Sequence, residues 1–139
     1  MNVSIKSLKN IDIRTLKNDC ALDNWYNNMI EKCPEELDIA DISRMLRQDV
    51  FSDIAVPMAW QRLYSNPLSG EMYDGQLLET LLRYLSNHAE QLDTQRASDF
   101  LELATRFLAV YEWELPEERQ DFEQLLLKAA SMLQTDRLT

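Results

Sequence analysis

Side chains that commonly do chemistry are scarce in this sequence. It contains one histidine, His88, and two cysteines, Cys20 and Cys33. A histidine that acts as a general base needs a nucleophile and an orienting partner within hydrogen-bonding reach, and the sequence shows neither beside His88. The position of His88 at the end of a predicted helix, where a cation complements the helix dipole, favours a structural role. The sequence therefore predicts that the protein is not an enzyme.

The two cysteines carry no recognisable cofactor or redox pattern. Cys20 and Cys33 stand 13 positions apart, outside any CxxC motif and without a matched histidine. Such a pair is typical of reduced thiols in a cytosolic protein rather than of a disulfide or a zinc site. Phosphate-binding loops are also missing from the sequence, so we expect no cofactor.

Four carboxylates near the middle of the chain raise the possibility of a metal site. They are Glu35, Glu36, Asp38 and Asp41. Their spacing matches no calcium-binding loop, and no histidine accompanies them. Asp38 instead suits the N-cap of a helix that begins at Ile39, and Asp41 suits its first turn. The sequence predicts helix capping here and no bound metal.

Negative charge is the most prominent feature of the composition. The chain has 24 acidic and 14 basic residues, a net charge of -10, yet 45% of it is hydrophobic. The densest acidic run consists of Glu112, Glu114, Glu117, Glu118, Asp121 and Glu123. Such a surface repels the phosphates of DNA and RNA and attracts a basic protein. An ordinary solvated helix surface is the alternative interpretation.

Helical periodicity accounts for nearly all of the chain. Helices are predicted over residues 22–33, 39–48, 53–65, 76–87 and 94–113, and from Pro116 onward. Pro57 is expected in or near the first turn of its helix, because a deeper proline removes a hydrogen bond. We predict one compact all-α domain of five to seven helices over residues 1–139. Residues 1–20 are expected to form either an arm or a short helix, and residues 134–139 are expected to fray.

Two further groups of side chains are candidates for contacts with a partner. Trp25, Trp60 and Trp113 are expected in the core or half-buried, and any one at the surface would make a strong binding anchor. Arg44 and Arg47 share one face of a predicted helix. They are expected to pair with acids of this chain, with a partner's carboxylates as the alternative.

Nothing in the sequence indicates contact with a membrane. No uninterrupted apolar run approaches 18 residues, and residues 1–9 lack the apolar core of a signal peptide. We therefore expect a cytoplasmic protein with no membrane partner.

The central segment resembles a known family. Its signature runs are DIADISRMLRQ at residues 38–48, IAVPMA at 54–59 and NPLSGEMYDGQLL at 66–78. Their order is similar to that of immunity proteins from bacterial contact-dependent growth inhibition (CDI) systems. The resemblance covers about residues 35–85 and is most specific from Pro67 to Gly75. Outside this range the chain is similar only in being helical and acidic.

The resemblance implies a function. CDI immunity proteins act in the cytoplasm, where each binds the C-terminal toxin domain delivered by a neighbouring cell. Many of these toxins are nucleases, which are basic, and inhibition is expected to occlude the active site in a one-to-one complex. The predicted toxin contacts are Glu112, Glu114, Glu117, Glu118 and Asp121, with Glu71 and Asp74 as a second choice.

Two alternatives accompany this hypothesis. Tyr73, Asp74 and Gly75 have an equally simple explanation as residues that shape a loop and cap the following helix. At the level of function, the alternative is a helical adaptor or regulatory module that binds a protein segment in an apolar groove.

Overall fold

The computed structural model describes the backbone of residues 3–138 and the side chains of residues 3–134. Within this range the chain is helical and has no β-strand, so the predicted all-α fold is confirmed. The helices are α1 (Ile5–Leu8), α2 (Ala21–Met29), α3 (Ile39–Gln48), α4 (Ser52–Ser65), α5 (Gln76–Asn87), α6 (Thr94–Val110) and α7 (Pro116–Leu138). Three 3₁₀ turns lie at Ile13–Thr15, Pro34–Glu36 and Ala89–Gln91.

Helix α5 forms the centre of the fold. It packs against α3, α4 and α7, while α6 packs against α4 and α7. At most 1% of the surface of each core leucine of α5 is exposed: Leu77, Leu78, Leu81, Leu82 and Leu85. Burying one leucine side chain contributes on the order of 2 kcal/mol, so these residues are a principal source of stability.

Local capping fixes the start of α3. The Asp38 carboxylate accepts the N–H of Asp41 at 2.7 Å, and the Asp41 carboxylate accepts the N–H of Asp38 at 3.3 Å. This reciprocal pair satisfies two backbone donors at the helix start, as in a capping box. The predicted bounds of α3 and its N-cap at Asp38 are confirmed.

The predicted end of α2 is wrong. The helix was expected to reach Cys33 but ends at Met29. The carbonyls of Ile30 and Lys32 accept the N–H groups of Lys6 and Ile5, both at 2.8 Å. These long-range bonds attach α1 to the rest of the fold. The N–H groups of Glu31 and Lys32 donate only three residues back, to the carbonyls of Asn28 and Met29, which ends the α-helix. Residues 3–18, an arm or weak helix by sequence, thus contain a short helix with Ile5 fully buried.

Pro57 also departs from its predicted place. It is the sixth residue of α4 and therefore lies in the second turn rather than the first. Its missing N–H leaves the carbonyl of Asp53 without the usual helical donor. Both Pro57 and Asp53 are exposed, so water can hydrate that carbonyl. Met58, Ala59, Trp60 and Leu63, whose spacing favours the inward face, are buried in this helix together with Ala55 and Val56.

The last two helices are joined differently from the prediction. Helix α6 ends at Val110 rather than at Trp113, because the backbone at Tyr111 is extended. The Trp113 ring points back toward the end of this helix. The Trp113 indole N–H donates to the carbonyl of Leu108 at 3.3 Å. Helix α7 continues through Leu138, while Thr139 lies outside the described residues. The expected fraying from Gln134 stays a prediction.

Candidate functional site

The segment from Asn66 to Gly75 is a tightly hydrogen-bonded loop between α4 and α5. The N–H of Gly75 donates to the carbonyl of Leu68 at 2.9 Å, and the N–H of Leu77 donates to that of Ser69 at 3.0 Å. The Gln76 side-chain oxygen accepts the N–H groups of Glu71 (2.9 Å) and Met72 (2.6 Å). Backbone groups at the loop tip are therefore held, although the side chains of residues 71–74 are exposed.

Each glycine of the loop is required for a different reason. A Cβ on Gly70 would lie 2.0 Å from the carbonyl oxygen of Tyr73 and 3.0 Å from the Cβ of Gln76, so there is no room for a side chain. Gly75 has a φ of +85°, a left-handed conformation that side chains disfavour. The glycines therefore shape the loop, as one interpretation of the sequence proposed.

We expect Gly70→Ala to lower the free energy of unfolding by about 1–3 kcal/mol, the usual cost of forcing atoms into an occupied site. Gly75→Ala should cost about 1–2 kcal/mol, because only its backbone conformation is strained. Urea denaturation monitored by circular dichroism measures both. Met72→Ala is the matched control, since 78% of the Met72 side chain is exposed. A Gly70→Ala variant as stable as the wild type would contradict the close approach of the Tyr73 carbonyl to Gly70.

The start of α7 and the residues just before it face this loop. Glu118, Asp121, Phe122 and Leu125 recur at intervals of three and four, which places them on one face of α7. Phe122 is buried, with its ring centroid 5.8 Å from that of Trp113. Leu125 contacts the loop, since its Cδ1 lies 3.4 Å from the position that a Cβ on Gly75 would occupy.

A cleft of about 420 Å³ separates the loop from this face of α7. Its aromatic lining comes from Tyr73, Trp113 and Phe122, and its acidic lining from Asp74, Glu79, Glu118 and Asp121. Leu68, Gln124 and Leu125 complete the walls. Asp74 thus lines the same cavity as Glu118 and Asp121, which lie more than 40 positions later in the sequence.

The carboxylates of the cleft differ in whether they already have a partner. Glu79 accepts a hydrogen bond from the Tyr73 hydroxyl at 3.1 Å and pairs with Arg83 at 3.0 Å. By contrast, Asp74, Glu118 and Asp121 make no ion pair among residues 3–134. Three negative charges therefore converge without compensation from neighbouring side chains.

The Tyr73 hydroxyl is fixed as a hydrogen-bond donor. Desolvation and the hydrogen bond to the Glu79 carboxylate raise the pKa of Tyr73 above its ordinary value of 10.0. The phenol is therefore neutral at physiological pH and does not add to the negative charge of the cleft. Its bond to Glu79 also restrains the position of the ring, although Tyr73 as a residue is 52% exposed.

The predicted contact residues fall into two groups. Asp74, Glu118 and Asp121 line the cleft, so the first and second choices made from sequence meet at one site. Glu71, Glu112, Glu114 and Glu117 are exposed but do not line it. Glu123 pairs with Arg119 at 3.1 Å. Glu79 and Phe122 could not be recognised as site residues from the sequence, and Tyr73 and Trp113 could not be placed together, because only the fold brings these residues to one cavity.

The remaining candidate residues are the histidine, the two arginines and the three tryptophans. His88 follows α5 with its ring stacked on Tyr84, at a centroid distance of 4.0 Å, and its Nδ1 lies 2.9 Å from the Tyr84 carbonyl oxygen. The predicted pairing of Arg44 and Arg47 with acids is wrong, since neither forms an ion pair among residues 3–134. The guanidinium of Arg44 lies 5.1 Å from the ring centroid of Trp25 instead. Among the tryptophans, Trp60 is buried, while Trp25 and Trp113 are half-buried.

Several broader properties can also be compared with the sequence predictions. The described residues contain no group of three or more histidine, cysteine or acidic side chains placed to hold a metal ion. Over the same range, no helix combines the length and apolar character needed to cross a membrane. Cys20 is an exposed free thiol and Cys33 a buried one.

The fold and the cleft define a small helical protein with an acidic, partly apolar surface cavity. Residues 3–97 match the family described as CDI immunity proteins. Since the match covers more than half of the chain, the protein belongs to this family, as the central signature runs indicated. Membership implies immunity to a CDI toxin. The comparison with curated proteins finds no match.

The family match ends at residue 97, and the cleft has lining residues on both sides of that boundary. Asp74 and the rest of the loop lie within residues 3–97, whereas Trp113, Glu118 and Asp121 lie beyond them. One wall of the site thus belongs to the matched region and the other to a segment outside it.

Proposed function

We propose that this protein neutralises one cognate CDI toxin by binding its C-terminal domain in a one-to-one complex. The toxin domain is a basic nuclease, and the complex forms in the cytoplasm and occludes the toxin's active site. Immunity proteins of this kind act by binding, so the chain needs neither catalytic residues nor a cofactor. The supporting observation is the convergence of uncompensated carboxylates on the fixed loop and the start of α7.

Electrostatics provides the physical reason for a basic partner. A nuclease must hold phosphates, and it does so with lysine and arginine side chains. Opposite charges on the two proteins steer their encounter and raise the association rate by roughly 10- to 1,000-fold at low salt. The exposed run of Glu112, Glu114 and Glu117 lies just outside the cleft and extends this attractive surface.

Growth of cells that carry the neighbouring gene tests the proposal. We would express the C-terminal region of the protein encoded immediately upstream, alone and together with this chain. Toxicity that this chain relieves is the expected result. Isothermal titration with the purified pair should then give a stoichiometry of one. Toxicity that the chain fails to relieve, or no toxicity at all, would favour a different function.

A helical adaptor is the second candidate function, and one observation supports it. A groove of about 390 Å³ lies between the N-terminal arm and α2. Its apolar lining includes Leu16, Leu22, Trp25 and Tyr26, and polar side chains such as Lys17 and Asp23 border it. An adaptor that binds a protein segment there should show weak salt dependence. Leu22→Lys, at a position 38% exposed, would abolish binding by an adaptor and leave toxin binding at the acidic cleft unchanged.

A further inference from the structure

The cleft has a composition that suits one kind of side chain. Its three uncompensated carboxylates, Asp74, Glu118 and Asp121, surround the same space as the rings of Tyr73 and Trp113. Building on the proposed function, we propose that this cleft is the receptor for a single arginine side chain of the toxin. The guanidinium group lies among the carboxylates, with its plane against an aromatic ring and its aliphatic stem along Leu125.

Arginine fits this lining better than other side chains do. Its planar guanidinium offers five N–H donors that match carboxylate oxygens, and it stacks on aromatic faces. A cation placed over an aromatic ring gains further attraction when it is desolvated. An apolar side chain would instead desolvate the carboxylates of Asp74, Glu118 and Asp121 without replacing their hydrogen bonds. An anionic group would be repelled.

The walls of the cleft are already arranged for a ligand. The loop that carries Asp74 is fixed by its own backbone hydrogen bonds, and Tyr73 is fixed by its bond to Glu79. On the opposite side, the Trp113 indole is held by the Leu108 carbonyl and by packing on Phe122. A preformed site loses less conformational freedom on binding. The volume is at the small end of that of ligand cavities, which suits one long side chain.

Two exposed glutamines on α7 provide a matched pair of variants. Gln124 lines the cleft, whereas Gln120, one turn earlier, does not. Gln124→Trp fills the cleft without changing any charge, and Gln120→Trp adds the same side chain outside it. Surface substitutions of this kind change stability little, so both variants should fold.

The first experiment needs only the isolated protein. The ¹⁵N-labelled chain is titrated with N-acetylarginine amide, and with N-acetylcitrulline amide as its neutral counterpart. We expect saturable shifts of the Trp113 indole N–H and of the Asp74 and Glu118 amides, with a Kd on the order of 1–10 mM. Citrulline should shift them at least tenfold less. Gln124→Trp should abolish the response and Gln120→Trp preserve it.

The arginine proposal and the immunity proposal can fail separately. Equal shifts with citrulline, or an arginine response that survives Gln124→Trp, would overturn the arginine site while leaving growth protection untouched. In the complex, Gln124→Trp should weaken toxin binding by about 10- to 100-fold and Gln120→Trp by less than twofold. Unchanged toxin affinity in Gln124→Trp would also overturn it.

Discussion

Replacing Glu114, Glu117 and Glu118 together by lysine is expected to weaken toxin binding by about 100-fold at low salt. The change reverses three charges on the rim and wall of the cleft and so removes electrostatic steering, which is worth roughly 10- to 1,000-fold in association rate. The remaining affinity should depend less on salt, because fewer charges attract each other across the interface. Stopped-flow association rates at several NaCl concentrations measure both effects.

A matched control separates the site from the total charge. Lysine at Asp19, Glu35 and Glu90 makes the same change in net charge at three exposed positions that do not line the cleft. We expect that variant to keep most of the association rate. Glutamine at Glu114, Glu117 and Glu118 should have an intermediate effect, with a smaller loss of favourable charge at the start of α7. Unchanged affinity in the lysine triple variant would show that the acidic run does not contribute to toxin binding.

Helix bounds that depend on local chemistry could be predicted from the sequence. The capping residues Asp38 and Asp41 mark the start of α3, and Gly75 marks the start of α5, so both helices lie where their patterns placed them. The end of α2 could not be predicted in the same way. The turn that follows it bonds to the N-terminal arm through the carbonyls of Ile30 and Lys32, and no local pattern indicates that pairing.

The candidate site shows the same division between local and long-range information. The spacing of Glu118, Asp121 and Leu125 already indicates one face of a helix. The sequence does not show that this face approaches Asp74, which lies more than 40 positions earlier. The acids were therefore recognised as two separate choices, and only the fold combines them with Trp113 into one cleft.

Asp41 is a stronger example, because a capping role understates its importance. The residue is buried, with 6% exposure, and its carboxylate accepts hydrogen bonds from the Trp25 indole N–H at 3.1 Å and from Lys32 Nζ at 2.5 Å. Burial alone would raise the pKa of Asp41. The bonds from Lys32, from the Asp38 N–H and from Trp25 outweigh that effect and hold the pKa below its ordinary value of 3.8.

Asp41→Ala should therefore lower the free energy of unfolding by about 3 kcal/mol at pH 7, because it leaves the Lys32 charge and the Trp25 N–H without their partner. Asp38→Ala, the control, removes the N-cap and a looser ion pair with Lys32 at 4.0 Å, and should cost about 1 kcal/mol. Urea denaturation at pH 7 measures both. Equal losses would mean that Asp41 does no more than cap α3.

The pH dependence of stability tests the same carboxylate without changing its shape. Since the folded-state pKa of Asp41 is depressed, its contribution is present above the unfolded value of 3.8 and is lost as the pH falls below it through the folded value. The pKa of Lys32 is raised, chiefly by its hydrogen bond to Asp41, so its contribution is present below 10.5 and is lost at higher pH. Asp41→Asn should flatten the stability profile at both ends. A parallel profile for Asp41→Asn and the wild type would show that the pair with Lys32 contributes nothing to folding.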